Sequence, residues 1–201
     1  MIVTGIEAVT KKKSKVELDS QLVFVLYKGE LARYCISLGQ ELEESQYEEI
    51  MNEVLLKRAR RYLIHLLTKM DRTTHELKSK LYKGFYPQVV VEKAIAYVAS
   101  YNYIDDERYA KKYLQAYEGR LSLRQIKWKL QAKGIAKEII DNLDDMISDN
   151  NEHELIQSHI AKRTRGIVNI DRKEIKRLAD YLYRKGFESS AIWEALEKYN
   201  P

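Results

Sequence analysis

The spacing of apolar positions along this chain changes once, from strand-like near the N-terminus to helical for everything after. IVTGIEAVT, then KVEL after the KKKS turn, then LVFVLY after Asp19-Ser20 read as a three-stranded meander or a pair of hairpins over Val3 to Tyr27. So small a sheet does not stand alone, and one face must lie on a neighbouring helix. Glu30 to Ser37 reads as a short helix, residues 38–42 as a loop, and Ser45 to about Leu67 as a long helix. Its apolar side carries Ile50, Val54, Leu55, Leu63, Leu66 and Leu67.

The stretch Ser122 to Gly134, SLRQIKWKLQAKG, organises the remainder. Ser122 with Gln125 spells a capping box, and Gly134 supplies the left-handed residue that closes a helix. Leu123, Ile126 and Leu130 fall on one face, with Arg124, Lys127, Lys129 and Lys133 over the rest. The same signature stands 49 residues earlier at Thr73 and Glu76, and 49 residues later at Asp171 and Glu174. Leu77, Ile126 and Ile175 share an offset, and the ends match as Lys83-Gly84, Lys133-Gly134 and Lys185-Gly186. Cap to glycine measures 11, 12 and 15 positions, so the third copy carries about one extra turn.

A period near 50 residues belongs to stacked helical units. Each unit reads as an approach helix, a capped basic helix and a closing apolar helix. The first closes with Val90, Val91, Ala94, Ile95 and Val98 behind Pro87, placed in that helix's first turn. The second opens at Tyr103 to Glu107, runs through Tyr109, Ala110, Tyr113 and Leu114 to Gly119, and closes with Ile135, Ile139, Ile140 and Leu143. Asp149 to Asn151 reads as the link to the third, where Leu155, Ile156 and Ile160, then Ile175, Leu178 and Leu182, then Ile192 and Leu196 mark the helices. Trp193 and Tyr199 are expected to anchor the C-terminus by packing. The expected fold is mainly α: tandem three-helix repeats in an elongated array behind a small N-terminal β-meander. Its divisions are residues 1–55, 56–104, 105–150 and 151–201.

Composition agrees with helices, since Pro87 and Pro201 are the only prolines among 201 residues. One cysteine, Cys35, makes no internal disulfide, the N-terminus lacks a signal-peptide core, and no apolar run reaches membrane length. The expectation is a cytoplasmic monomer with no membrane contact. The net charge of +5 hides a division: residues 1–55 hold 6 basic and 10 acidic side chains, and residues 56–201 hold 29 and 20. Residues 56–83 and 108–140 each carry 9 basic and 2 acidic groups, so positive charge recurs with the repeat. Such a surface attracts polyanions without naming one.

Catalytic chemistry finds no support. The histidines of HELIQSH are six apart, roughly 120° from each other around a helix, so they do not form the helical zinc motif. Asp105, Asp106 and Glu107 read as a helix start, and no glycine-rich phosphate loop or nucleophile elbow is present. No metal and no cofactor are expected. Trp128 lies opposite the apolar seam, one turn after Arg124, where it either stacks on a partner or is covered by a neighbouring helix. Most tyrosines, such as Tyr62, Tyr97, Tyr109 and Tyr113, sit at helical apolar spacing and are expected to pack.

Arg61 through Leu81, with Leu63, Leu66, Thr74, Glu76-Leu77 and Lys80-Leu81, then Tyr103-Ile104-Asp105-Asp106-Glu107-Arg108-Tyr109-Ala110, then Gly119 through Leu130 and Lys133-Gly134-Ile135, resemble the RecX family of bacterial regulatory proteins. The likeness covers about residues 56–201, with one departure: Gly84 comes a residue earlier after Leu81 than is usual. The resemblance implies tandem three-helix repeats and a modulator, usually an inhibitor, of the RecA recombinase. It implies as partners the RecA filament and single-stranded DNA, with double-stranded DNA as a further candidate. Charge and wheel position nominate Arg58, Arg61, Lys78, Arg108, Lys112, Arg124, Lys127, Trp128 and Lys129 for contact with RecA or nucleic acid. The competing readings are a sequence-tolerant DNA-binding helical regulator acting without RecA, and a purely structural helical adaptor.

Overall fold

A computed structural model describes residues 1–144, 149–165 and 170–199; of Leu22 and of residues 149–151 it gives the backbone alone. The N-terminal strands β1 (Val3–Ala8), β2 (Lys13–Leu18) and β3 (Leu22–Tyr27) form one antiparallel sheet in the order β1-β2-β3. The β2–β3 hairpin turns on Asp19 and Ser20, both with positive φ (49° and 58°), closed by a Gln21 N to Leu18 O bond of 3.1 Å. Two left-handed residues in succession match the twist of the flanking strands. Alternation places Ser14, Val16 and Leu18 of β2 with Phe24 and Leu26 of β3 on the buried face. Lys13 already belongs to β2, so the expected lysine turn is shorter than its sequence suggests.

α1 (Lys28–Arg33) stops four residues before the end expected at Ser37, and Cys35 just after it takes φ 52°. The long helix then runs as α2 (Glu44–Glu49), a π-helical segment (Ile50–Leu56) and α3 (Lys57–Leu67) without a break in helical backbone. The π winding follows from which residues are buried. Ile50 with Leu55, and Met51 with Leu56, are five apart, a spacing that α geometry would turn roughly 140° off one face. From Ala59 onward the buried positions Leu63 and Leu66 return to α spacing.

α4 (Thr74–Lys83) and α5 (Gln88–Ser100) complete a first three-helix set with α3. Pro87 is the N-cap of α5 rather than a residue of its first turn. Strands and first set share one hydrophobic core, from Val3, Phe24 and Leu26 through Ile50 and Leu63 to Leu77, Leu81, Val91 and Ile104. The chain accordingly divides into two compact units, Met1–Asp105 and Asp106–Pro201.

The second unit holds α6 (Asp106–Tyr117), α7 (Leu123–Ala132) and α8 (Lys137–Asp141), then α9 (Asp149–Thr164), α10 (Arg172–Arg184), α11 (Ser189–Leu196) and a 3-10 turn (Glu197–Tyr199). Asp149 to Asn151 form the start of α9 and not a link. Each helix set keeps its own core: Ala110, Leu114, Ile126, Leu130, Ile135, Ile140 and Leu143 in one, and Ile156, Ile160, Ile175, Leu178, Leu182, Phe187, Ile192 and Leu196 in the other.

The repeated caps form. Thr73 and Glu76 make the full reciprocal box, and Asp171 Oδ1 accepts from Glu174 N at 2.7 Å. Ser122 Oγ accepts from Gln125 N at 3.3 Å, the first half of the expected box, and its hydroxyl proton goes elsewhere, to the Lys185 carbonyl at 2.6 Å. The N-terminus of α7 thereby meets the C-terminus of α10, opposite ends of two helix dipoles. Left-handed residues end the central helices at Phe85 (φ 57°), Gly134 (φ 76°) and Gly186 (φ 85°). In the first set Gly84 keeps φ −87° and Phe85 takes its place, so cap to left-handed residue measures 85 − 73 = 12, 134 − 122 = 12 and 186 − 171 = 15. The apparent misfit of Gly84 disappears, and the extra turn of the third set remains. The same two closing bonds recur at each: Tyr86 N to Leu81 O (3.2 Å), Ile135 N to Leu130 O (3.1 Å) and Phe187 N to Leu182 O (3.3 Å) are the longer ones.

Gly186 is tightly surrounded, since a Cβ there would sit 2.9 Å from Ser122 Oγ and 3.3 Å from Arg124 Cβ. Gly186→Ala is expected to lower unfolding free energy by about 1–3 kcal/mol through the positive φ and the clash. Gly29→Ala, with open space around it on α1, should cost nothing. Urea denaturation midpoints of the two variants check this; equal midpoints would mean that the α7–α10 contact is not made.

Candidate functional site

On α7 the apolar side is spent inward, with Ile126 1% and Leu130 0% exposed. What remains outward is Arg124, Lys127, Trp128 and Gln131. The left-handed turn at Gly134 buries Ile135 and reverses the chain, so that α8 runs beside α7 and leaves a groove between them. Arg124, Lys127, Trp128, Lys137 and Asp141 line its walls, with Ile135 and Ile140 at its floor. Trp128 is 67% exposed, so no neighbouring helix of the described chain covers it. Lys127 is half-buried and pairs with Asp144 Oδ1 at 2.5 Å, which holds its ammonium at the groove edge. An indole face, an exposed guanidinium and two ammonium groups around an apolar floor suit a ligand that is both flat or apolar and negatively charged.

A related groove lies between α10 and α11, where Arg172, Lys176, Trp193 and Glu197 surround Ile175 and Leu196. Trp193 is 51% exposed, so it does not anchor the C-terminus by packing as the sequence implied; Tyr199 does pack against that core. The signal for an outward Trp193 was its place beside Ile192 and Leu196, which take the inward face. Lys78, Lys127 and Lys176 occupy one position, five residues after each cap. In the first set Lys78 bonds both Glu92 oxygens on α5 at 2.9 and 3.0 Å, whereas Lys176 is exposed.

The other nominated residues separate into groups. Arg58 is committed internally: it donates to the Val25 carbonyl at 3.0 Å, forms an ion pair with Glu30, and lies 4.7 Å over the Tyr27 ring. Glu30 in turn accepts from Tyr27 N at 2.7 Å, so this one arginine joins β3, α1 and α3. Arg61 is exposed on α3, Arg108 and Lys112 are exposed on α6, and Lys129 is half-buried on α7 away from the groove. Of the nominated set, Arg124, Lys127 and Trp128 are brought to one groove. Lys137 completes that place and was missed, because the five-residue α8 offers too little periodicity to show which way it faces.

The tyrosines split as well. Tyr97 packs against the first core, while Tyr109 and Tyr113 pack against that of α6–α8, as their spacing implied. Tyr62 instead is 37% exposed. Tyr109, Tyr113 and Tyr117 form a ladder along α6, with centroids 6.3 and 4.5 Å apart and Lys133 5.6 Å over the first ring. Burial pushes the Tyr113 hydroxyl above its usual range. Among the described residues no His, Cys, Asp and Glu side chains gather as a metal site, and no helix is long and apolar enough to cross a membrane.

Comparison with known proteins follows these modules. Residues 105–142 match the family model of the second three-helix domain of RecX, and residues 150–196 match that of the third. The regulatory protein RecX of Caldanaerobacter subterraneus subsp. tengcongensis is 30% identical, over 92% of this chain and 94% of that one. That of Clostridium acetobutylicum is 28% identical, over 98% and 95%. A crystal structure of regulatory protein RecX shares the fold with a TM-score of 0.65 at 24% identity, covering 94% of this chain and 96% of that chain. A RecX crystal structure from Lactobacillus salivarius gives 0.64 at 19% identity, covering 73% and 97%.

Arg58→Ala is expected to cost about 1.5–3 kcal/mol of stability, because hydrogen bonds to charged groups are lost and Glu30 is stranded. Arg61→Ala should stay within about 0.5 kcal/mol, as exposed substitutions do. Denaturant unfolding decides, and an Arg58→Ala protein as stable as the native one would free that residue for binding.

A pH dependence is expected from His159, whose ring meets Tyr181 and Phe187 edge-on at 5.9 and 5.7 Å. Burial holds its imidazole below the usual 6.5, and Lys185 and Lys162 add to this. Below 6.5 the unfolded chain then binds more protons than the folded one, so stability is full above that pH and declines as pH falls through it. Unfolding midpoints from about pH 7.5 to about pH 5.5 should drop less in His159→Gln than in the native chain; parallel curves would remove His159 as the cause.

Proposed function

The chain belongs to the RecX family of regulatory proteins, and from that premise we propose that it binds the RecA filament on single-stranded DNA and inhibits it. Interference with filament extension, ATPase and strand exchange follows if one molecule engages several protomers. The observation that carries the reading is the groove of Arg124, Lys127 and Trp128, an exposed indole beside an open guanidinium. Such pairs dominate protein interfaces because a large, rigid ring and a planar cation give much contact for little ordering cost.

Repetition supports the same role. Each of the three helix sets carries exposed cations, Arg61 in the first, Arg124 in the second and Lys176 in the third, and modest contacts joined in one chain add up through effective concentration. The cations are divided between α3, α6, α7 and α10 rather than gathered on one reading helix, which suits a repeating polymer better than a single DNA groove. In this role Lys127 acts through its geometry at the groove edge, and Arg124 and Trp128 make the contact.

The paired variant Arg124→Glu, Trp128→Ala should raise the concentration needed for half-inhibition of the single-stranded-DNA-dependent RecA ATPase by about ten- to thirtyfold. Circular dichroism should be unchanged, since both side chains are exposed. Unaltered inhibition by that folded variant removes the groove from the mechanism. A native protein that leaves RecA untouched while binding DNA would favour the DNA-binding regulator instead.

A further inference from the structure

Four side chains of the first unit, Arg60, Tyr97, Tyr101 and Tyr103, follow one another in successive ring contacts, and core packing accounts for Tyr97 alone. α5 ends at a left-handed residue, Asn102 (φ 55°), with Asn102 N bonded to Ala99 O at 2.8 Å and Tyr103 N to Val98 O at 3.0 Å. That turn sets the rings of Tyr101 and Tyr103 5.7 Å apart and within 20° of parallel. Tyr97, one turn back on α5, meets Tyr101 at 5.0 Å, and the Arg60 guanidinium covers the Tyr97 ring at 4.3 Å. Tyr101 and Tyr103 are 56% and 51% exposed, so two large rings are held in fixed register facing water. Arg60 has no carboxylate partner among the described residues, and its Nε is buried without a hydrogen bond.

We propose that Arg60, Tyr97, Tyr101 and Tyr103 form a stacking platform for the unpaired bases of a single-stranded nucleic acid. Bases lie on the outer ring faces, and Arg60 marks the phosphate end. Every base presents a π face, so a run of aromatic faces binds single strands with little regard to sequence, whereas duplex bases are already covered by their own stack. Residues 56–72, which include α3 beneath the line, carry six basic side chains against one acidic. Asp105 follows Tyr103 by two residues, which orients the phosphates toward Arg60 and away from the far end. The site goes beyond the RecA reading and lies in the other unit from the Trp128 groove.

Fluorescence anisotropy of a labelled oligothymidine and of a blunt duplex, with the full chain and no RecA present, tests the platform. The native protein should prefer the single strand, and Tyr101→Ala, Tyr103→Ala together should weaken that binding roughly tenfold or more. Duplex binding should be unchanged, and Tyr101→Phe, Tyr103→Phe should retain affinity, because the ring faces and not the hydroxyls carry the contact. The proposal is overturned by a folded alanine variant that holds oligothymidine as the native chain does, by a native chain without single-strand preference, or by a variant weakened only toward RecA filaments, which would mark a protein-binding surface. RecA inhibition by the same proteins is read separately. Its absence in the native chain would remove the family-based reading and leave the platform standing.

Discussion

The central helices of the three sets are ten, ten and thirteen residues long, lengths that are marginal for an isolated helix in water. Each persists by burying the residue four positions after its cap: Leu77, Ile126 and Ile175 are 0%, 1% and 5% exposed. The cap fixes where the helix begins, hence which residue meets the core and which residues are left outside. Move the start by one residue and the buried stripe turns by about 100°. The outward placing of Arg124 and Trp128 is therefore a consequence of Ser122, and the open position of Lys176 a consequence of Asp171.

This explains why so much of the fold could be read from the sequence. Capping is local chemistry, fully stated by residues three apart, and the helical stripes of α5, α7 and α10 repeat often enough to be unmistakable. The strands were legible for the same reason, with Asp19-Ser20 as the turn. What escaped was whatever depended on packing between distant segments. The π winding of Ile50–Leu56 is set by which side chains the sheet and α5 accept, and a reader using one helical period assigns Val54 in place of Met51 and Leu56. Phe85 takes a backbone that glycine next to it would enter more easily, because Tyr86 must reach Leu81 to close the helix.

The candidate site was legible in part. Trp128 could be placed opposite the apolar seam but not shown to be uncovered, since exposure depends on what α8 does three residues beyond the turn at Gly134. Charge was the weaker guide. Composition counts a lysine or arginine once, wherever it points, and so Arg58 ranked beside Arg124 although one is joined to Glu30 and the other is exposed. The tyrosines misled in the opposite direction: their spacing described Tyr97 well, yet it is silent on Tyr101 and Tyr103, which lie where the helix has already stopped.

The internal pairs have a consequence for how the chain responds to ionic strength. Arg58 with Glu30, Lys78 with Glu92 and Lys127 with Asp144 are partnered before any ligand arrives. The steepness with which added salt weakens association counts the phosphates a protein neutralises, because each one releases counterions condensed on the nucleic acid. A cation that must first leave its own carboxylate delivers only a fraction of such an exchange. Any polyanion thus encounters fewer available cations than the composition counts, and holds the chain by ring faces and shape as much as by counterion release.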